Sequence, residues 1–241
     1  MARMTPEETD PWDLAAERYR QEQEQSAFAS VNRRMVTDRF RGLDLKGKAL
    51  LDLGCGYGWY THYFHSVGAK AVGCDGSAEM LRLARSQYPD IPFERVDLLE
   101  ELPYGDERFD VVFCNQVLMD IPCIFGLIKE VGRITAEGGL FYVSLVHPAF
   151  YDARWQEENG FGKVRIMERY LSEYSIENGF WGSTRHYHRT LSSYLNTILR
   201  AGFRLLHVEE PETYDGVCRS AEFPLFFAAE FQKDPRPGHS A

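Results

Sequence analysis

Little in this chain of 241 residues points to a disulfide scaffold, a membrane span or a nucleic-acid binder. The five cysteines, at 55, 74, 114, 123 and 218, form no C-x-x-C pair; an odd, scattered set argues against a disulfide framework and against a zinc site. No stretch approaches the ~20 apolar residues that span a bilayer. The start, Met1 to Glu8, lacks the apolar core of a secretory signal. Basic residues are the minority, with 27 Lys and Arg against 36 Asp and Glu, a net charge of −9, and no basic run is long enough to track a phosphate backbone. Nucleic acid is therefore not expected as a substrate, and a cytoplasmic protein without a membrane partner is. Repeats and low-complexity tracts are missing as well. A 44% hydrophobic content over this length can bury a large core, and strands alternating with helices predict a doubly wound parallel sheet in one domain, 1–241.

What is present is a ligand loop. Leu50-Leu51-Asp52-Leu53-Gly54-Cys55-Gly56-Tyr57-Gly58-Trp59 reads as an apolar strand broken by one carboxylate and opening into three alternate glycines. A strand buried on both faces is continuously apolar, so Asp52 needs a hydrogen-bonding partner to offset the cost of burying its charge. Gly54, Gly56 and Gly58 let the backbone turn sharply beside a ligand, and the helix that follows, roughly Tyr57 to Val67, aims its free N–H groups at it. Cys55 reads as a small residue that fits beside the ligand. A second strand, Ala69 to Cys74, ends in Asp75, 21 residues past Gly54; an acid about 20 residues on is placed to meet a ribose diol.

The glycine spacing separates two ligand classes. A dinucleotide fingerprint, G-x-G-x-x-G, requires glycine at 59, where this chain has Trp59. Glycine falls at 58 instead, and G-x-G-x-G after an acidic strand residue resembles the class I S-adenosylmethionine-dependent methyltransferases. The resemblance runs in order through residues 48 to 146. Gly76-Ser77-Ala78-Glu79-Met80 is similar to the start of the family's second helix, and Ser77 is a good N-cap in its own right. Asp97, after the strand from Phe93, matches the acid that in the family accepts from the adenine amino group, with the Leu98 amide beside it and Met80 on the ring. Phe109 to Asn115 and Gly138 to Val146 match the fourth and fifth strands. Two departures stand out: Met119, where many relatives carry a histidine, and Glu137, where they carry proline.

The resemblance implies a Rossmann-like seven-stranded sheet of order 3-2-1-4-5-7-6 with the last strand antiparallel, and S-adenosylmethionine as cofactor. The core is expected at 42–146. Residues 11–41 read as two helices, Trp12, Ala15, Ala16 and Tyr19 sharing one face. That face either packs on the sheet or forms a lid from which Tyr19 closes the cofactor site. The 147–189 segment is an insertion in which Phe150 to Tyr187 carries nine aromatics in 38 residues, about a quarter against 14% overall. It reads as a substrate cap with Tyr151, Trp181 and Tyr187 toward the acceptor, or else as a packed subdomain. A helix from Thr190 whose apolar face stops at Gly202, strands from Phe203 and Phe223, and a tail from Asp234 complete the chain.

The expected chemistry is in-line methyl transfer to a small, largely apolar molecule. If a proton must be removed, His147 and His188, which bracket the insertion, are the candidates; Asn115 and Gln116 would orient the acceptor or the methionine end of the cofactor. A nicotinamide-dependent reductase and a binder of the same cofactor that methylates nothing are the alternatives. The sequence assigns neither the methylated atom nor an oligomeric state.

Overall fold

In the computed structural model, residues 10–151, 154–158, 162–179, 182–211 and 223–235 are described. Two N-terminal helices, α1 (Pro11–Gln25) and α2 (Ala27–Phe40), meet at Ser26, whose hydroxyl accepts from the Ala29 amide and so starts α2. The alternating core follows: β1 (Ala49–Leu53), α3 (Trp59–Ser66), β2 (Lys70–Asp75), α4 (Ala78–Gln87), β3 (Phe93–Arg95), β4 (Phe109–Asn115), α5 (Ile124–Ile134) and β5 (Thr135–Val146). A 3-10 turn, Leu118–Asp120, sits between β4 and α5. Two hairpins come next, β6 (Arg154–Glu158) with β7 (Gly162–Ile166) and β8 (Tyr174–Asn178) with β9 (Thr184–His188). The chain ends in α6 (Leu191–Arg200), β10 (Phe203–Glu209) and β11 (Phe226–Lys233).

Seven of these strands form one sheet in the order β3-β2-β1-β4-β5-β11-β10. β1 to β5 run parallel, and β11 lies antiparallel between β5 and β10. This is the expected 3-2-1-4-5-7-6 arrangement, with the two hairpins inserted after the fifth strand. The central strands are apolar because both faces are covered: Leu50, Leu51 and Leu53 of β1 are fully buried. On one face α2 drives Phe40 against Phe64, Phe113 and Tyr142, with ring centroids 4.9–5.8 Å apart in edge-on contacts. Arg39 of the same helix pairs with the buried Glu230 of β11 at 2.7 Å. The N-terminal helices are thereby anchored across the sheet.

Several boundaries differ from the sequence reading. β3 stops at Arg95, because the Val96 amide donates to the Asp75 carbonyl and the chain then turns at Asp97. β11 begins at Phe226 and not Phe223, since Pro224 has no amide hydrogen for a ladder. Gly202 follows the Ala201 cap of α6 at φ +88°, the left-handed conformation that suits a glycine just past a helix end. No helix among the described residues is long and apolar enough to cross a membrane. The last six residues of the predicted tail, and Cys218, lie outside the described residues.

Candidate functional site

The carboxyl ends of β1, β2 and β4 converge on the glycine loop. Gly54, at φ +75°, has no room for a side chain, because a Cβ there would lie 2.4 Å from Val117. Asp75, at the end of β2, accepts from the backbone amides of Gly56 and Ser77, both at 2.9 Å. Burial pushes its carboxyl up to about 6 against the pull of those two amides. Ser77 caps α4 by accepting from the Met80 amide at 3.1 Å, and its hydroxyl donates to Asp13 of α1 at 2.6 Å. Asp13 also accepts from the Glu79 amide at 3.0 Å, so the first helix is tied to the N-terminus of the fourth.

A cleft of about 200 Å³ runs along these groups, lined by Asp75, Gly76, Ser77, Met80, Asp97 and Leu98 among others. Asp97 spends one oxygen on the Leu99 amide, at 2.9 Å, which fixes the loop after β3. A larger cavity of about 390 Å³ adjoins it. Tyr19, Gly54, Gly56, Asn115, Gln116 and Asp120 line both, so the two are one continuous space. Gln116 adopts φ +59°, a conformation that a non-glycine residue holds only when its surroundings require it. Its amide donates to the Ser144 carbonyl at 2.9 Å and its side chain donates to the Ser144 hydroxyl at 3.2 Å, which itself donates to Asn115. Asp52 lines the larger cavity and is buried; Thr61 donates to it at 2.6 Å, the partner its place in an apolar strand demanded. Burial nonetheless raises its carboxyl to about 7. Cys55 lines the same cavity as a protonated thiol, burial pushing it well up.

Other predicted site residues lie elsewhere. Gly58 lines neither space: it begins α3 at φ +84°, and a Cβ there would come within 2.7 Å of the Phe93 ring and 3.0 Å of Ala84. Its lack of a side chain serves close packing between helix and strand, not approach to a ligand. His147 is buried outside the cavity with both ring nitrogens engaged, Nε2 with Glu210 at 2.7 Å and Nδ1 accepting from the Ala149 amide at 3.1 Å. His188 contacts the Tyr170 carbonyl at 2.9 Å through Nε2 and stacks on Tyr174. Neither histidine is placed to take a proton in the larger cavity. Tyr151 lines that cavity, whereas Tyr187 borders only a small adjoining hollow. Trp181 lies outside the described residues.

The sequence reading passed over four residues. Arg33 of α2 lines the larger cavity, donates to the Tyr57 hydroxyl at 2.7 Å and lies 4.6 Å over the Trp59 ring. Asp120 and His186 line the same cavity, and Arg189 is buried behind them. Strand alternation was the available signal for His186, since it shares a face with Thr184 and His188 on β9. Nothing in the sequence predicted which face turned inward.

Residues 51–143 match the methyltransferase domain family. The chain superposes on an S-adenosylmethionine-dependent methyltransferase from Mesorhizobium loti with a TM-score of 0.73 at 27% identity, over 87% of this chain and 99% of that one. It is 30% identical to the ubiquinone biosynthesis O-methyltransferase of Glaesserella parasuis over 46% of this chain and 50% of that protein. With the malonyl-[acyl-carrier protein] O-methyltransferase of Erwinia billingiae it shares 29% identity over 46% of this chain and 45% of that one. The matched stretch thus spans about half the length of these two curated relatives. Over residues 51–143 the chain carries a methyltransferase domain, and its sheet order and glycine loop are similar to those of the class I S-adenosylmethionine-dependent methyltransferases, with S-adenosylmethionine as cofactor.

Proposed function

We propose that this methyltransferase acts on a small, largely apolar acceptor enclosed in the larger cavity, with the cofactor in the cleft beside it. The observation that carries this reading is the continuity of the two spaces through Gly54, Gly56, Asn115 and Gln116. A volume of about 390 Å³ with walls of Phe28, Met119, Val146, Tyr151 and Phe226 suits a compact apolar molecule, not a polymer. The two curated relatives named above are O-methyltransferases, which supports oxygen as the methylated atom.

The donor set of the cleft fits the cofactor. Asp75 retains acceptor capacity after its two amide bonds and would hold the ribose hydroxyls; Met80 and Leu98 offer apolar contact to the adenine, and Asp97 its free oxygen. The side-chain-free edge at Gly54 and Gly56 would take the methionine moiety, with Asn115, Gln116 and Tyr19 around it. When bound, the sulfonium supplies an electrophilic methyl whose leaving group is a neutral thioether. What remains for the protein is to hold the acceptor in line, exclude water and receive any proton; orientation alone can supply about 7–11 kcal/mol of the barrier.

Release of S-adenosylhomocysteine against a panel of phenols, alcohols, acids, amines and thiols tests the activity. Turnover of none of them, with the cofactor bound, would overturn the small-acceptor reading. Hydrogen bonds to a charged group are worth ~1.5–3 kcal/mol, so Asp75→Ala should weaken cofactor binding by roughly tenfold to a hundredfold in calorimetry. The parent's affinity should also fall as the pH drops below about 6, where Asp75 takes up a proton. Unchanged affinity in the variant would remove Asp75 from the site.

A further inference from the structure

Three side chains, the buried His186 and the partly buried Asp120 and Tyr151, meet at one end of the cavity, and positioning alone gives them no task. Asp120 closes the 3-10 turn after β4, His186 lies in the middle of β9, and Tyr151 follows β5. All three line the larger cavity. Nε2 of His186 stands 3.2 Å from Oδ1 of Asp120, within ion-pair range but not aligned as a hydrogen bond. The Tyr151 ring stacks on the imidazole at 5.3 Å and 27°, which fixes its plane. Nδ1 of His186 and Oδ1 of Asp120 are buried without a hydrogen-bond partner among the described residues. Buried polar atoms are nearly always paired, and exceptions gather where a ligand or a proton completes them.

A fourth residue holds the pair together. Arg189, one residue past β9, is buried and donates to the carbonyls of Leu118 at 3.3 Å and of Ile121 and Pro122 at 2.7 Å each. Its guanidinium staples the turn that carries Asp120 to the strand that carries His186. The other titratable groups that face Asp120 are Asp75, Tyr19, Cys114 and Tyr194, the last also beside Arg189.

We propose that His186, paired with Asp120, is the proton acceptor for methylation of a weakly acidic hydroxyl of the phenol or enol class; this rests on the small-acceptor reading above. A carboxylate or thiolate acceptor arrives already ionised and needs no base. A phenol titrating near ~10 keeps its proton at neutral pH and gains from an adjacent neutral imidazole. Burial holds His186 neutral, down to about 4, and raises Asp120 well above its ordinary range. In the step, an oxygen lone pair forms the new bond to the methyl carbon, and the broken sulfur–carbon pair stays on sulfur as a neutral thioether. The hydroxyl proton passes to the imidazole, and the new charge, 3.2 Å from Asp120, favours the ionised form of that carboxyl. The products are an aryl or enol ether, S-adenosylhomocysteine and one proton, released later to solvent.

The test uses the full chain with bound S-adenosylhomocysteine and a nitrophenol as probe, because its phenolate is read by visible absorbance without turnover. The parent should bind the probe and shift its ionisation to lower pH than in water. His186→Gln should bind S-adenosylhomocysteine within about twofold of the parent, lose that shift, and lose about 10²-fold or more in kcat with any phenol that the parent methylates. Should H186Q fail to fold, Asp120→Asn leaves β9 unchanged and must show the same losses. An equal ionisation shift in parent and variants, or a parent that binds no phenol, overturns the proposal and leaves the methyltransferase reading intact. A parent that binds no cofactor, or methylates no acceptor, strikes that reading instead.

Discussion

The N-terminal helices and the 147–189 insertion both border the larger cavity, yet they contribute different things. From α1 and α2 come Trp12, Tyr19, Phe28, Asn32 and Arg33; from the described part of the insertion come only Tyr151 and His186. The insertion is the more aromatic by sequence, and an aromatic-lined cap was expected of it. Among the described residues the helices supply most of the aromatic wall, together with Tyr57, Trp59 and Tyr60 around the start of α3. What the described part of the insertion adds beside Tyr151 is a titratable group, His186. Aromatic density marks where a segment buries surface, but not against what: Tyr170 and Tyr174 pack on His188, away from the cavity. The comparison separates walls from chemistry, and each prediction below either widens or closes that gap.

The largest effect belongs to the staple between the insertion and the core. Arg189→Ala strands the carbonyls of Ile121 and Pro122, which have lost a charged donor at 2.7 Å. A loss on the order of 3 kcal/mol is expected in denaturant unfolding. In the protein that remains folded, kcat should fall much more than cofactor affinity, because Asp120 loses its support while Asp75 does not. Lysine at this position reaches fewer carbonyls than the guanidinium fork and should restore only part of the stability. A midpoint within experimental error of the parent would show that the turn holds itself.

Next is an exchange between the two walls. Tyr19 borders both spaces, whereas Tyr151 borders the larger one and stacks on His186. Tyr19→Ala should raise the cofactor Kd by roughly tenfold, the loss of one buried aromatic anchor. Tyr151→Ala should leave that Kd unchanged and act on the acceptor's KM and on kcat. If both variants weakened the cofactor equally, the division between walls and chemistry would collapse, and the insertion would count as a second lid.

These residues also mark how far the sequence could be read. The ends of β1, β2 and β4 and Asp75 against the glycine loop were legible because each follows from local periodicity and spacing, whereas the sheet order was implied by the family resemblance. The acceptor end was not, since it depends on which face of a hairpin turns toward a distant turn. His147 and His188 stood at plausible places in the chain, but both nitrogens of His147 are spent on Glu210 and the Ala149 amide, and Nε2 of His188 on the Tyr170 carbonyl. Gly58 was read as a ligand glycine because its φ and its packing against Phe93 both demand glycine for reasons invisible in spacing alone.

An effect of pH lies on ground that both regions share. Asp52 titrates at about 7 in the fold, against about 3.9 when unfolded, so between those values the folded state holds a proton that the unfolded chain has lost. The contribution of Asp52 to the stability of the cofactor-free protein is therefore greatest below about pH 4 and is lost as the pH rises to about 7, by at most about 1.4 kcal/mol per pH unit. Asp52→Asn keeps an acceptor for the Thr61 hydroxyl and should flatten this slope, becoming the more stable form at alkaline pH. A parent whose urea midpoint rises over that range would show that Asp52 stays ionised and is compensated by something other than Thr61.

The smallest effect tests whether the helical wall is held where it is by its own contact with the cofactor cleft. Asp13 accepts from the Ser77 hydroxyl and the Glu79 amide, acting as a second cap on α4 supplied from another helix. Replacing a capping carboxylate by alanine costs about 1 kcal/mol. Ser77 still caps Met80 in Asp13→Ala, so α4 stays formed and the cost falls on the docking of α1. Cofactor affinity should drop by about fivefold, through Trp12 and Tyr19 spending less time against the cleft. The rate of the methyl-transfer step at saturating cofactor should not change, because Asp13 touches neither His186 nor the turn at Asp120. A drop in that rate with unaltered affinity would mean that α1 reaches the chemistry after all, and the contrast between the two regions would have to be redrawn.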